Sequence, residues 1–158
     1  MIVLNKFEKI YVALFVGSMV AGIVYGAANV DYFKCCESAL EPEEGFTPLT
    51  FFSSNFILAL AEMVTAGVAS LYLNFHTFSI TASYLASQNA LFTLPFLFIH
   101  GSFELVGSLF LALAGFSFVE RKAFKIKSRL KINELVVSGI ALIFVGSIVE
   151  YGLLKLLG

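Results

Sequence analysis

The sequence predicts an all-α fold, a polytopic transmembrane helical bundle of about five spanning helices in a single transmembrane domain, 1–158. Three observations lead there. The chain is 59% hydrophobic and 13% charged, whereas a soluble domain has about 25% charged residues with which to cover its surface. The charges are clustered, so that the stretches 10–30 and 105–119 carry none. Several stretches also reach the roughly 20 apolar residues that a helix needs to cross a bilayer. No linker is long enough to form a further domain.

The first span covers about 7–30. Its apolar run is longer than the roughly 7–15 residues of a cleavable signal, so it reads as a retained anchor. Ser18, Gly22 and Gly26 recur at every fourth position, a spacing of small residues that lets helices approach closely. Helix packing, within the chain or across a homodimer, is the expectation. The acidic outer loop 31–48 follows, with Asp31, Glu37, Glu41, Glu43 and Glu44 against Lys34. Cys35 and Cys36 are adjacent there and lack the spacing of a metal site or disulfide framework. They read as ordinary loop residues, with an intermolecular bridge near a dimer axis as the alternative.

The second span, about 50–75, places Asn55 and Glu62 seven residues apart and so on one face. Ala59, Ala66 and Ala69 or Ser70 share it, and a carboxylate on such a stripe is expected to face the bundle rather than lipid. His76 is expected in a short turn. The third span, about 77–98, is polar for a lipid-facing helix, with Ser79, Thr81, Ser83, Ser87, Gln88, Asn89 and Thr93, and holds Pro95. It is read as a full span with a kink, in preference to a re-entrant element lining a cavity.

The fourth span, about 101–119, opens with the stretch that draws most attention. His100 and Glu104 lie one helical turn apart, and Ser108 and Ala112 continue their face. The basic inner loop 120–131 holds Arg121, Lys122, Lys125, Lys127, Arg129 and Lys131. It reads as a topology determinant rather than a lipid-specific site. The fifth span, about 132–157, carries Gly139, Gly146 and Glu150 on one face, and the two glycines are packing positions. Lysine and arginine counts put the basic loop in the cytoplasm. Five spans then place the protein in the cell membrane with its N-terminus inside and its C-terminus outside.

Depth gathers the polar residues. At about 1.5 Å per residue, Asn55, Glu104 and Glu150 fall about 5–10 Å inside the outer face, with His100 at the rim and Glu62 about 18 Å deep. Two buried carboxylates cannot both be ionised without a partner. Either one holds a proton, or a cation sits between them. His100, Glu104 and Glu150 are therefore candidate ligands of a divalent cation. The competing reading is a hydrogen-bonded network that sets helix register. Glu104 and Glu150 are expected in direct or one-bridge contact, capped by His100. Catalysis is not expected: the chain has no H-E-x-x-H and no G-x-S-x-G. A net charge of −1 with no interleaved basic and aromatic residues gives no sign of nucleic-acid binding.

The segment His100-Gly101-Ser102-Phe103-Glu104 resembles the His-Gly-x-x-Glu motif of the stage II sporulation protein M family of multi-pass membrane proteins. Small residues follow it, ending in Ala114-Gly115, as in that family. Asn55 with Gly67, and Glu150 near the end of the last span, are similar as well. The likeness extends over about 52–152. Ile99 stands where the family usually has proline, and an Asn-Gly often found after span two is missing from 74–83. The resemblance implies a non-enzymatic integral membrane protein acting as a scaffold for membrane or envelope partners. The polar layer suggests the alternative, a channel or transporter for a cation or proton.

Overall fold

The computed structural model describes residues 4–34 and 47–157, with side-chain detail for all of these but 51, 96–100 and 153–157. Cys35, Cys36 and most of the acidic loop therefore lie outside the described residues. Helix α1 (Lys6–Ala28) starts at a reciprocal cap. The Asn5 side chain accepts from the Glu8 backbone N–H at 2.9 Å, and the Glu8 carboxylate accepts from the Asn5 N–H at 2.7 Å, which satisfies two otherwise orphaned donors. Helix α2 (Pro48–Val64) starts at Thr47 with proline at its head, where a missing N–H costs nothing. Helix α3 (Val68–Ser87), a short 3₁₀ turn (Leu91–Thr93), α4 (Leu94–Lys122) and α5 (Ile132–Leu157) complete the described chain.

The result is an all-α bundle of five helices, but the expectation of five spanning helices is overturned. Among the described residues, three helical stretches are long and apolar enough to cross a membrane: Lys6–Ala28, Gly101–Lys122 and Ile132–Gly152. The expected span 50–75 is two elements. Helix α2 stops after 17 residues, short of the roughly 20 that a span needs. The chain then reverses through Ala66 (φ 54°) and Gly67 (φ 80°). Helix α3 has 20 residues, but Asn74, His76, Thr77, Ser79, Thr81 and Ser83 make it too polar. His76 lies within this helix and not in a turn. Pro95 kinks nothing, because it stands in the first turn of α4.

The reversal at 65–67 is enforced from outside. A left-handed backbone suits glycine, and a Cβ at Gly67 would lie 2.4 Å from the Tyr11 hydroxyl. That hydroxyl donates to the Gly67 carbonyl at 3.0 Å. So α2 and α3 form a helical hairpin whose tip rests on α1.

Close backbone contacts set the packing. Helix α3 runs parallel to α1. A Cβ at Gly22 would meet the Phe75 carbonyl oxygen at 2.5 Å, and one at Gly26 would meet that of Ser79 at 2.1 Å. The small-residue stripe of α1 is thus occupied within the chain, while Ser18 donates to its own helix at the Phe15 carbonyl. Helices α4 and α5 run antiparallel. Gly107 faces Gly139, and Gly146 faces the Glu104 side chain. One core cluster joins Tyr11, Phe15 and Met19 to Ala112, Leu113 and Ala114, and a second joins Ala59, Leu111 and Ile143. Val16, Val20 and Val24 form an exposed apolar row on the far side of α1, the inverse of a soluble helix and suited to lipid. The chain has the character of a multi-pass membrane protein.

Candidate functional site

Three helices bring Asn55, Glu104 and Glu150 together. The Asn55 amide donates to Glu104 Oε1 at 2.7 Å, from α2 to α4. The Ser147 hydroxyl approaches the same oxygen at 3.4 Å from α5. The Glu104 and Glu150 carboxyl groups are close enough to interact. Two buried carboxyl groups so placed need a proton or a cation to offset the charge and cannot both be ionised without it. The geometry depends on Gly146. Any Cβ there would fall 2.4 Å from Glu104 Cγ, so glycine lets α5 come close enough for Glu150 to reach across.

Glu62 sits deeper, with 4% of its surface exposed. Ser108 donates to its carboxylate. Ser108 therefore serves Glu62 on α2 as well as continuing the face of Glu104 on α4. Glu62 and Asn55 share α2 with Ala59, as the seven-residue spacing requires. Ala66 and Ser70 do not continue that face, because the helix has ended.

All of these groups open on one cavity of about 470 Å³, lined by Asn55, Glu62, Asn74, Glu104, Ser108 and Glu150. Thr77 and Thr81 of α3 also line it, so the polarity of that helix faces inward. Asn74 is the residue that sequence reasoning missed. It is 8% exposed, and its Nδ2 has no hydrogen-bond partner among the described residues. A buried amide left without a partner costs about 1–3 kcal/mol, and this one lines the cavity. The only sequence signal was an asparagine inside an apolar run.

The His100 side chain, expected to cap the pair and to ligate a metal, lies outside the described residues. Among the described residues, no three histidine, cysteine or acidic side chains converge as a metal site. Glu104 and Glu150 are the two members of the candidate cation set that are described and in contact.

A second buried acidic pair lies at the other end of the bundle. Glu8 is fully buried and Glu120 is 3% exposed. Glu8 Oε1 accepts from Ser117 at 3.1 Å and from Ser128 at 2.5 Å. The Asn5 amide donates to Glu120 Oε2 at 3.2 Å. Nothing in the sequence marks either residue as buried, since Ser117 and Ser128 lie more than 100 positions from Glu8, as Asn5 does from Glu120.

The chain matches no known family model, no curated protein and no solved structure. Its chemistry has to be read from its own residues.

Proposed function

We propose that this multi-pass membrane protein takes up a proton or a small cation in the cavity between its helices. One observation carries the reading: Glu62, Glu104 and Glu150 line a single cavity inside an otherwise apolar bundle. Carboxyl groups at membrane depth are costly and commonly mark ion or proton pathways. The α2–α3 hairpin supplies the polar wall, through Asn55, Asn74, Thr77 and Thr81. Irregular backbone such as the 65–67 turn is tolerated at depth where protein covers it. A divalent cation bridging Glu104 and Glu150 is one form of the reading, and a shared proton is the other. The test is proton and cation flux in proteoliposomes. Flux should be lost in the Glu104→Gln/Glu150→Gln double variant, and flux that persists unchanged overturns the assignment.

A second reading has its own support. The bond from Asn55 to Glu104 and the contact from Glu104 to Glu150 tie α2, α4 and α5 into one rigid unit. That suits a non-enzymatic scaffold for membrane or envelope partners, of the kind the resemblance to the stage II sporulation protein M family implies. A homodimer would then need a seam other than Gly22 and Gly26, which α3 already covers. On this reading the same double variant transports as little as the wild type does and changes only stability. The particle mass in mild detergent reports the oligomeric state.

We infer an orientation with the N-terminus and the basic loop in the cytoplasm and the end of α5 outside. The lysine and arginine bias supports it, as does the contact of Asn5 and Glu8 with Glu120 and Ser128 at one end of the bundle. A single cysteine at Lys125, in a background lacking Cys35 and Cys36, should label only from the cytoplasmic side. Labelling from outside reverses the assignment.

A further inference from the structure

A loop that serves only to set topology needs charge and no particular shape. The basic loop after α4 has a shape. Its Ile126 N–H donates to the Glu120 carbonyl at 3.0 Å. Ser128 donates to Glu8 and accepts from the Leu130 N–H at 3.1 Å. Leu130 is buried, at 5% exposure. The Arg121 guanidinium bonds the Leu130 carbonyl, and Lys125 takes a left-handed conformation at φ 54°. The loop is folded back and pinned at four points against α1 and α4.

The pinning gathers cations that no carboxylate among the described residues pairs with. Arg121, Lys127 and Arg129 line one pocket with Ile126 and Ser128. The carboxylates that could pair with them are committed elsewhere. Glu8 and Glu120 point inward and are buried, and Glu134 is paired with Lys131 at 2.5 Å. Phe118 and Phe124, three residues before and after Arg121, are 53% and 68% exposed. The pocket therefore stands at the end of a candidate membrane span, with two exposed aromatic side chains close by in sequence. Basic groups at this level attract anionic lipid, aromatic side chains sit at the headgroup layer, and an arginine fork matches phosphate geometry.

We propose that the pocket of Arg121, Lys127 and Arg129 binds the phosphate of an anionic phospholipid headgroup in the adjacent leaflet. The site is separate from the cavity between the helices and does not depend on any transport through it. Arg121 is the prepositioned member, held by the Leu130 carbonyl. Lys127 and Arg129 are exposed and make no hydrogen bond or ion pair among the described residues, so replacing them leaves the fold intact.

The experiment uses the full chain in a neutral detergent. Thermal unfolding is followed while phosphatidylglycerol, phosphatidylcholine or inorganic phosphate is added. Phosphatidylglycerol should raise Tm, and neither of the others should. In the Lys127→Gln/Arg129→Gln variant the concentration of phosphatidylglycerol needed should rise about thirtyfold, and in Lys127→Gln alone about fivefold. Equal stabilisation by phosphatidylcholine overturns the proposal, as does an equal effect of inorganic phosphate, which would mean a free-anion site. An undiminished response in the double variant overturns it as well.

Discussion

The two buried carboxyl pairs use the same side chains to opposite ends. Glu8 with Glu120 and Glu104 with Glu150 each join α4 to a neighbouring helix, and each recruits one asparagine and nearby serines. At the basic end Glu8 accepts from the Asn5 N–H, Ser117 and Ser128. Those donors come from the cap of α1, from α4 and from the loop, and they close over Glu8. Glu120 beside it keeps one buried oxygen, Oε1, without a hydrogen-bond partner among the described residues. In the bundle, Glu104 accepts from Asn55 at 2.7 Å and from Ser147 at 3.4 Å, from two neighbouring helices. Its surroundings open on a cavity that also exposes an Asn74 amide with no partner among the described residues. A carboxylate whose acceptor capacity is filled by protein donors is a fastener. One that lines a cavity is a candidate site, because a ligand can reach it there.

The contrast can be broken most severely at Glu8. Glu8→Ala should destabilise by on the order of 3 kcal/mol or more, since it leaves several buried donors without an acceptor. Thermal or denaturant unfolding in detergent measures it, and a loss below about 1 kcal/mol would remove the distinction between the pairs.

Gly146→Ala attacks the other pair through its backbone support. The added methyl meets Glu104 Cγ, so α5 must shift. A cost of about 1–3 kcal/mol is expected for such overpacking. The expected signature is weakened Glu104–Glu150 contact, read as reduced flux in proteoliposomes alongside a lowered unfolding midpoint.

Glu104→Gln is nearly isosteric and keeps a partner for Asn55 through its own carbonyl oxygen. It should change stability by less than about 1 kcal/mol while abolishing proton or cation uptake. A destabilisation matching that of Glu8→Ala would show that Glu104 is a fastener too.

The smallest expected effect is at Asn74. Asn74→Leu removes an amide that has no partner among the described residues, so the variant should be at least as stable as the wild type, by up to about 1 kcal/mol. A clear loss of stability would mean that the amide is bonded within the protein.

How far the sequence could be read depends on where each residue's partners lie. The face shared by Asn55 and Glu62, and that shared by Gly146 and Glu150, follow from helical spacing alone. The helix at 132–157 was legible from its charge-free run, 135–149, following a basic loop. The break at 65–67 was not. Val64-Thr65-Ala66-Gly67-Val68 reads as apolar helix, and one glycine inside such a run is ordinary. What turns the chain there is Tyr11, 56 positions upstream, whose ring fills the space a side chain would need.

The same limit applies to charge. Glu8 reads as a solvated flank beside Lys6 and Lys9, yet it is fully buried, because Ser117 and Ser128 arrive only when α4 and its loop fold against α1. Composition and periodicity by themselves determined that this chain is helical, that its outer faces suit lipid, and which residues share a helical face. Helix boundaries seen only in the structure left three stretches among the described residues long and apolar enough to span. Tertiary structure also decided that the glycines of α1 seat α3, and that Glu8 is closed over by donors while Glu104 and Glu150 line a cavity. The physical reason is range. Helical faces and apolar runs are set by neighbours within a few turns, whereas a chain reversal, a close approach and a filled or unfilled acceptor depend on groups that only folding brings near.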